Sequence, residues 1–229
     1  MNKRKEHRGK QQLPAIPGPQ PLTFGGWFDP ANFDTVIGVD ASLRSTGVAI
    51  LRRGVEGHQT AALKTQLRGA ARLEHMLHQL LCLILGEEVD GTKLWDFSRY
   101  PEPRRVLVLI EEYAFSQTLQ SHQTGEIGGM FRFGMWKLGI PFVEVPIGTV
   151  KIYCTGRGNP DWKVVLIEAY KLWGIEGTTD DEVDALILAH MGFDLIVPPE
   201  KLINVQRVRA HQKLKLLPVA HRLSKGALG

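Results

Sequence analysis

The chain of 229 residues is long enough for one domain of about 150 residues with tails, and its 43% hydrophobic content is that of a globular protein rather than a disordered one. No stretch approaches the roughly 18 uninterrupted apolar residues of a membrane span, and Leu13-Pro14-Ala15-Ile16-Pro17 lies where a secretory signal would need its apolar core, so neither a membrane protein nor a secreted one is expected. The net charge of +4 hides an asymmetry: residues 1–12 carry five Lys/Arg against one acid and residues 201–229 seven against none, which leaves sixteen basic and twenty-three acidic residues, about −7, in between. A basic tail is often merely solvated, but two of them on an acidic core fit a polyanionic partner. Cys82 and Cys154 lack metal-site spacing and read as buried thiols in a reducing compartment. A cytoplasmic location is expected, and the acid-poor residues 1–33 leave an organellar leader open.

Residues 1–33 read as an arm, charged at first and then dense in Pro14, Pro17, Gly18, Pro19 and Pro21, which resist helix and sheet alike. Order is expected from near Thr35, in a domain over 34–195. Thr35 to Val39 is a short apolar run, the pattern of a buried strand, and Gly47 to Leu51 repeats it after a polar turn. A more polar third strand is expected between Val55 and Leu63. Leu73, Met76, Leu77, Leu80, Leu81 and Ile84 recur at helical steps. Val106 to Ile110 is a fourth strand. Leu119 to Leu138 reads as a helix although Gly125, Gly128, Gly129 and Gly134 each cost it roughly 1 kcal/mol relative to Ala, which suggests close packing or a mobile element. Pro141 to Val145 gives a fifth strand, and Trp162 to Trp173 and Glu182 to Phe193 are helical by period. The pattern is α/β, without internal repeats. Residues 196–229 form a basic extension in which Arg207, Arg209, Lys213 and Lys215 are candidates for contacts with nucleic-acid phosphates.

Carboxylates at particular places carry the chemistry. Asp40 ends one buried strand, and Glu111 and Glu112 end another. A carboxylate at the end of a core strand is partly desolvated, which costs several kcal/mol unless it is paired or binds a cation. Asp180-Asp181-Glu182-Val183-Asp184 opens a helix that continues as the apolar Ala185 to Ala189, and Asp181 and Asp184 share one helical face. Capping and the helix dipole explain this last cluster well by themselves. A turn residue would explain Asp40, and a salt bridge Glu111. Two strand ends and a helix start can nevertheless meet at one sheet edge, where four carboxylates call for hard, oxygen-seeking cations such as Mg²⁺ or Mn²⁺. Two such ions can activate a water and stabilise the leaving oxygen of a phosphodiester.

The segments Gly38-Val39-Asp40-Ala41-Ser42-Leu43-Arg44-Ser45-Thr46-Gly47-Val48-Ala49, Ile110-Glu111-Glu112-Tyr113-Ala114-Phe115 and Asp181-Glu182-Val183-Asp184-Ala185-Leu186 resemble the three acidic motifs of the RuvC-type Holliday junction resolvases, in order and context, across about Thr35 to Leu195. The resemblance implies a ribonuclease H-like fold with a mixed five-stranded sheet flanked by helices. It also implies a metal-dependent endonuclease that cuts four-way junctions as a homodimer, with two Mg²⁺ or Mn²⁺ ions per site. Residue by residue, it makes Asp40, Glu111, Asp181 and Asp184 the metal-binding tetrad. It puts a catalytic lysine at Lys163, with Lys151 the alternative, and a base-contacting aromatic at Phe115, with Tyr113 the alternative; Arg157 joins Lys151 as a candidate DNA contact. Glu112 remains an alternative to Glu111, on the opposite face of its strand. Ala41-Ser42 stands where many cellular members have Pro-Gly, a variant that looks more like phage versions. The arm and the basic extension lie outside the minimal family core, so the substrate range stays open between four-way junctions and branched DNA more broadly, such as forks and flaps.

Two other classes compete. The actin and sugar-kinase ATPases share a related fold and a similar first motif, but they need a second phosphate loop and a second domain, for which 229 residues leave no room. A non-catalytic DNA-binding protein would be expected to have lost at least one of the four carboxylates, and all four are present.

Overall fold

The computed structural model of the protein describes residues 29–86, 105–112, 119–175 and 179–197. Tyr113, Phe115, Arg207, Arg209, Lys213 and Lys215 lie outside the described residues, as does most of the N-terminal arm.

The apolar runs form five strands, β1 (Thr35–Asp40), β2 (Thr46–Arg52), β3 (Gln59–Leu63), β4 (Val106–Glu111) and β5 (Phe142–Val145). They make one sheet of order β3-β2-β1-β4-β5. The β1–β2 and β2–β3 pairs are antiparallel, whereas β1–β4 and β4–β5 are parallel, so the expected mixed five-stranded sheet is present. β3 starts later than Val55 because Gly54 and Gly57 turn the chain at φ +77 and +83 and leave Val55 exposed.

The helices are α1 (Gly69–Leu85), α2 (Leu119–Leu138), α3 (Ile147–Thr155), α4 (Trp162–Trp173) and α5 (Asp180–Ile196). All but α3 match the periodic pattern. Side-chain alternation along the strands divides the interior in two. Val36, Ala49, Leu51, Leu107, Leu109, Val143 and Val145 pack with α3, α4 and α5. Ile37, Val39, Val48, Ile50, Val108 and Ile110 pack with α1 and α2.

α5 is the central element of the first layer. Its apolar run is buried on every side, from Val183 through Ala189 apart from Asp184, and it lies chiefly across β1 and β2. The approach is backbone on backbone. A Cβ added at Gly38 would stand 1.9 Å from the Ala185 carbonyl oxygen, and one at Gly47 would stand 1.9 Å from that of Asp181.

In the second layer, Ile127, Phe131 and Met135 of α2 are fully buried, and Gly134 lets α2 close on α1, where an added Cβ would meet Leu77 Cδ1 at 2.5 Å. Close packing thus accounts for that glycine, while Gly125 faces open space. Phe133 and Trp136 point outward, 40% and 44% exposed, with the Lys137 ammonium 5.9 Å and 5.4 Å from their ring centroids.

At the amino ends of β1 and β4, residues 29–34 pack ahead of β1. Pro30–Asn32 make a 3-10 turn capped by Asp29, and Phe33 is buried. The Arg105 guanidinium holds the Ala31 and Asn32 carbonyls, and Arg53 bonds those of Pro30 at 3.2 Å and Ile196 at 2.8 Å. Two arginines therefore clamp the start and the end of the described fold at the edge opposite the acidic strand ends.

Candidate active site

The strand order turns outward in both directions from β1: β2 and β3 lie on one side, β4 and β5 on the other. In open α/β sheets, ligands bind beyond the carboxyl ends of the strands at such a switch point. Asp40 and Glu111 end the two strands that meet there. The register pairs Val39 with Ile110, so the next residues stand side by side on strands about 4.8 Å apart. Gly38, Gly47, Leu107 and Leu109 face α5, and alternation sends Asp40 and Glu111 to that same face. Glu112, by the same rule, points to the α2 side.

Gly47 lies opposite Asp40 in the β1–β2 register, and the space its missing side chain leaves is filled by the Asp181 carbonyl. The first turn of α5 is thereby pressed against the end of β1. Thr46, fully buried, braces the connecting turn by donating to the Ser42 carbonyl at 2.8 Å and accepting from the Ser42 N–H at 3.3 Å.

The acids of α5 divide their work. Glu182 makes a capping box with Thr179, whose N–H and hydroxyl donate to its carboxylate at 3.0 and 2.8 Å. Burial raises the Glu182 carboxyl, but the bonds from Thr179 outweigh it and hold the group below its ordinary range. Capping, the simplest reading of this cluster, thus describes Glu182 and leaves Asp181 and Asp184 to face the strand ends.

The electrostatics show how closely the four groups meet. Burial lifts the Asp40 carboxyl well above its ordinary value, and the charges of Glu111 and Asp181 add to the rise. Glu111 is raised by burial and by Asp184, against a hydrogen bond from Asp40 and the positive charges of Lys151 and Arg132. Asp184 is pushed up to about 7 by burial first and by Asp40 next, with Lys151 pulling the other way. The Lys151 side chain, on the unanticipated helix α3, is thus near enough for its charge to act on Glu111 and Asp184. Lys163 opens α4, where Asp161 caps its N–H at 2.8 Å and its side chain is exposed. Arg157 is exposed in the loop between them.

The donor set is all oxygen, which suits Mg²⁺ or Mn²⁺. No three His, Cys, Asp or Glu side chains among the described residues form a ready-made metal cage. Asp40 and Glu111 are joined by a side-chain hydrogen bond, and their burial and the repulsion of neighbouring acids raise both carboxyls, a cost that a bound divalent cation would relieve. The residues fit the ion.

A stability test follows from Asp184. Its carboxyl is raised in the fold, so the fold binds the proton more tightly than the unfolded chain does. The resulting penalty is absent below about pH 4, grows as pH rises, and is complete above about 7. A rise from 3.8 to about 7 corresponds to up to about 4 kcal/mol at 1.36 kcal/mol per unit. In EDTA at about pH 8, Asp184→Asn is therefore expected to melt above the wild type, with the gain fading toward about pH 4. Melting below the wild type at the higher pH would rule out burial and repulsion as the cause.

No protein-family model matches the sequence, and no curated protein does. Among solved structures, the chain is similar to Thermus thermophilus RuvC in complex with a Holliday junction substrate, at 18% identity and a TM-score of 0.54, over 80% of this chain and 99% of that one. It is also similar to a second T. thermophilus RuvC structure, at 17% identity and a TM-score of 0.50, over 72% and 96% of the two chains. At such identity the likeness is one of fold: the chain has the ribonuclease H-like fold seen in RuvC.

Proposed function

We propose that the protein is a divalent-metal-dependent endonuclease that resolves four-way DNA junctions. The observation that carries this reading is the convergence of Asp40, Glu111, Asp181 and Asp184 at the switch point of the sheet, with the charge of Lys151 acting on Glu111 and Asp184. The junction in the complex of the similar RuvC structure supports the substrate class.

In this reading the four carboxylates hold two Mg²⁺ or Mn²⁺ ions, which when bound supply an activated water and stabilise the leaving oxygen of the phosphodiester. Burial of Asp40, Glu111 and Asp184 keeps bulk water from competing and strengthens every charge interaction at the site. Lys151 adds a fixed positive charge beside Glu111 and Asp184, where it can meet a phosphate oxygen; it takes the role of catalytic lysine in preference to Lys163. Lys163 and Arg157, both exposed, serve as backbone-phosphate contacts. Phe115, or Tyr113, stacks on bases at the junction, and Arg207, Arg209, Lys213 and Lys215 add phosphate contacts without sequence information.

Symmetric cutting of a four-way junction needs two sites, and the Phe133–Trp136 face of α2 supports a homodimer with a two-fold interface. Trp136→Glu is expected to shift the protein to monomers in sedimentation at micromolar concentration; a wild type that is already monomeric there would remove the dimer.

Labelled junction, fork, flap and linear duplex, each with Mg²⁺ and with EDTA, test the function. The junction should be cut in Mg²⁺ alone and the linear duplex left intact. Equal cutting of forks and flaps would favour the broader branched-DNA nuclease, a reading that the basic chain ends support. Junction binding without any cutting in Mg²⁺ or Mn²⁺ would leave a DNA-binding protein.

A further inference from the structure

Three of the four carboxylates share one support. Asp40 ends β1, and Asp181 and Asp184 stand on the α5 turn that Gly38 and Gly47 admit against β1 and β2. Glu111 is supported differently. It is the last residue of β4, and its carbonyl accepts from Arg132 Nη2 of α2 at 2.7 Å. The same guanidinium pairs through Nε with the carboxylate of Glu144 on β5, the residue that faces Ile110 in the β4–β5 register. Only 11% of the Arg132 side chain and 20% of the Glu144 side chain is exposed. One residue on, the Glu112 N–H donates to the Val145 carbonyl at 2.8 Å.

A planar guanidinium with two prongs engaged has little freedom to turn. With Glu144 fixing one prong, the other fixes the peptide plane at Glu111, and with it the Cα–Cβ vector from which the Glu111 side chain extends. α2 and α5 lie on opposite faces of the sheet, so this support reaches the site from the side away from the other three acids. We propose that Arg132, anchored by Glu144, is a positioning residue that aims Glu111 into the cation site. The inference rests on the reading of Glu111 as a metal ligand. If the pair merely stabilised the fold, its loss would lower the melting temperature and leave the cation affinity of the folded protein unchanged; a buried ion pair is in any case weak evidence for stability.

Calorimetric titration of the full-length, metal-free protein with Mn²⁺, with folding of each variant checked by circular dichroism, separates the two. Residues that orient a ligating side chain typically change metal affinity by 10–100-fold, so Arg132→Gln should bind Mn²⁺ about 10- to 100-fold more weakly and need correspondingly more Mg²⁺ to cut a junction. Arg132→Lys keeps the charge but cannot serve both partners, and should fall in between. Glu144→Gln frees the anchor and should weaken binding less than Arg132→Gln. Wild-type affinity in folded Arg132→Gln overturns the proposal; if that variant does not fold, wild-type affinity in both Arg132→Lys and Glu144→Gln overturns it. A wild-type protein that takes up no Mn²⁺ is a different failure, because it overturns the metal-site reading itself.

Discussion

Asp40→Asn, Glu111→Gln and Asp184→Asn are each expected to slow junction cleavage by about 1000-fold or more while the proteins still bind junctions in EDTA. Each substitution removes one charge from the set proposed to hold the cations, which when bound would supply several kcal/mol of transition-state stabilisation; losing about 4 kcal/mol of it is about 1000-fold in rate. In the proposed reading, DNA affinity comes from basic residues elsewhere. Unfolding is not an available explanation for a dead Asp184→Asn, which is expected to be more stable than the wild type without metal at about pH 8. Two neighbours act as comparators. Asp180 is exposed at the start of α5, and Glu112 belongs to the α2 side of its strand, so Asp180→Asn and Glu112→Gln should cleave nearly as the wild type does. Wild-type rates in any one of the first three would remove the assignment of that residue, and a dead Glu112→Gln would transfer the ligand role to it.

Gly38→Ala and Gly47→Ala are expected to be the most damaging small substitutions in the fold. Each adds a single carbon, at 1.9 Å from a carbonyl oxygen of α5. The obstruction is backbone, so no rotamer change relieves it, and the helix must move off the sheet. Overpacking costs typically 1–3 kcal/mol and sometimes more, and these two belong at the upper end. At about 3 kcal/mol and roughly 2–4 °C per kcal/mol for a chain of this size, the melting temperature should fall by about 6–12 °C. Gly47→Ala should also lose cleavage, because the obstructing oxygen belongs to Asp181. Gly125→Ala is the control: nothing lies within 4 Å of its added carbon, and in mid-helix alanine gains up to about 1 kcal/mol. Equal melting of Gly47→Ala and the wild type would contradict the backbone contact.

Four of the strands were legible as apolar runs bounded by turn residues and the more polar β3 by its place after the first two; Asp40 and Glu111 stood out because they end two of those runs, and Asp181 and Asp184 because they open an apolar helix. α3 was not legible. It is short, rich in β-branched Ile147, Thr149, Val150 and Ile152, interrupted by Gly148 and preceded by Pro146, so it shows no stripe of helical period. Without α3 the sequence offers Lys163, at the start of an obvious helix, as readily as Lys151, and the proposal of Lys151 depends on that helix. Arg132 reads in the sequence as one cation in a glycine-rich helix, since its partners on β4 and β5 depend on how α2 packs across the register of two strands. The aromatic residues of α2 divide between core and surface in a way that its glycines blur. The approach of α5 to Gly38 and Gly47 is likewise invisible before the tertiary fold exists, although the small residues that permit it are plain.

That approach gives the site two parts of unequal stiffness. Asp40, Asp181 and Asp184 ride on a block in which main chain touches main chain, and they cannot separate without lifting a helix from the sheet. Glu111 sits at a strand end steadied by one guanidinium and one amide bond. In the proposed cation site, adjustment to ions of different radius would therefore fall to one jaw only, and discrimination between small and large divalent cations would become a property of how far the end of β4 can yield.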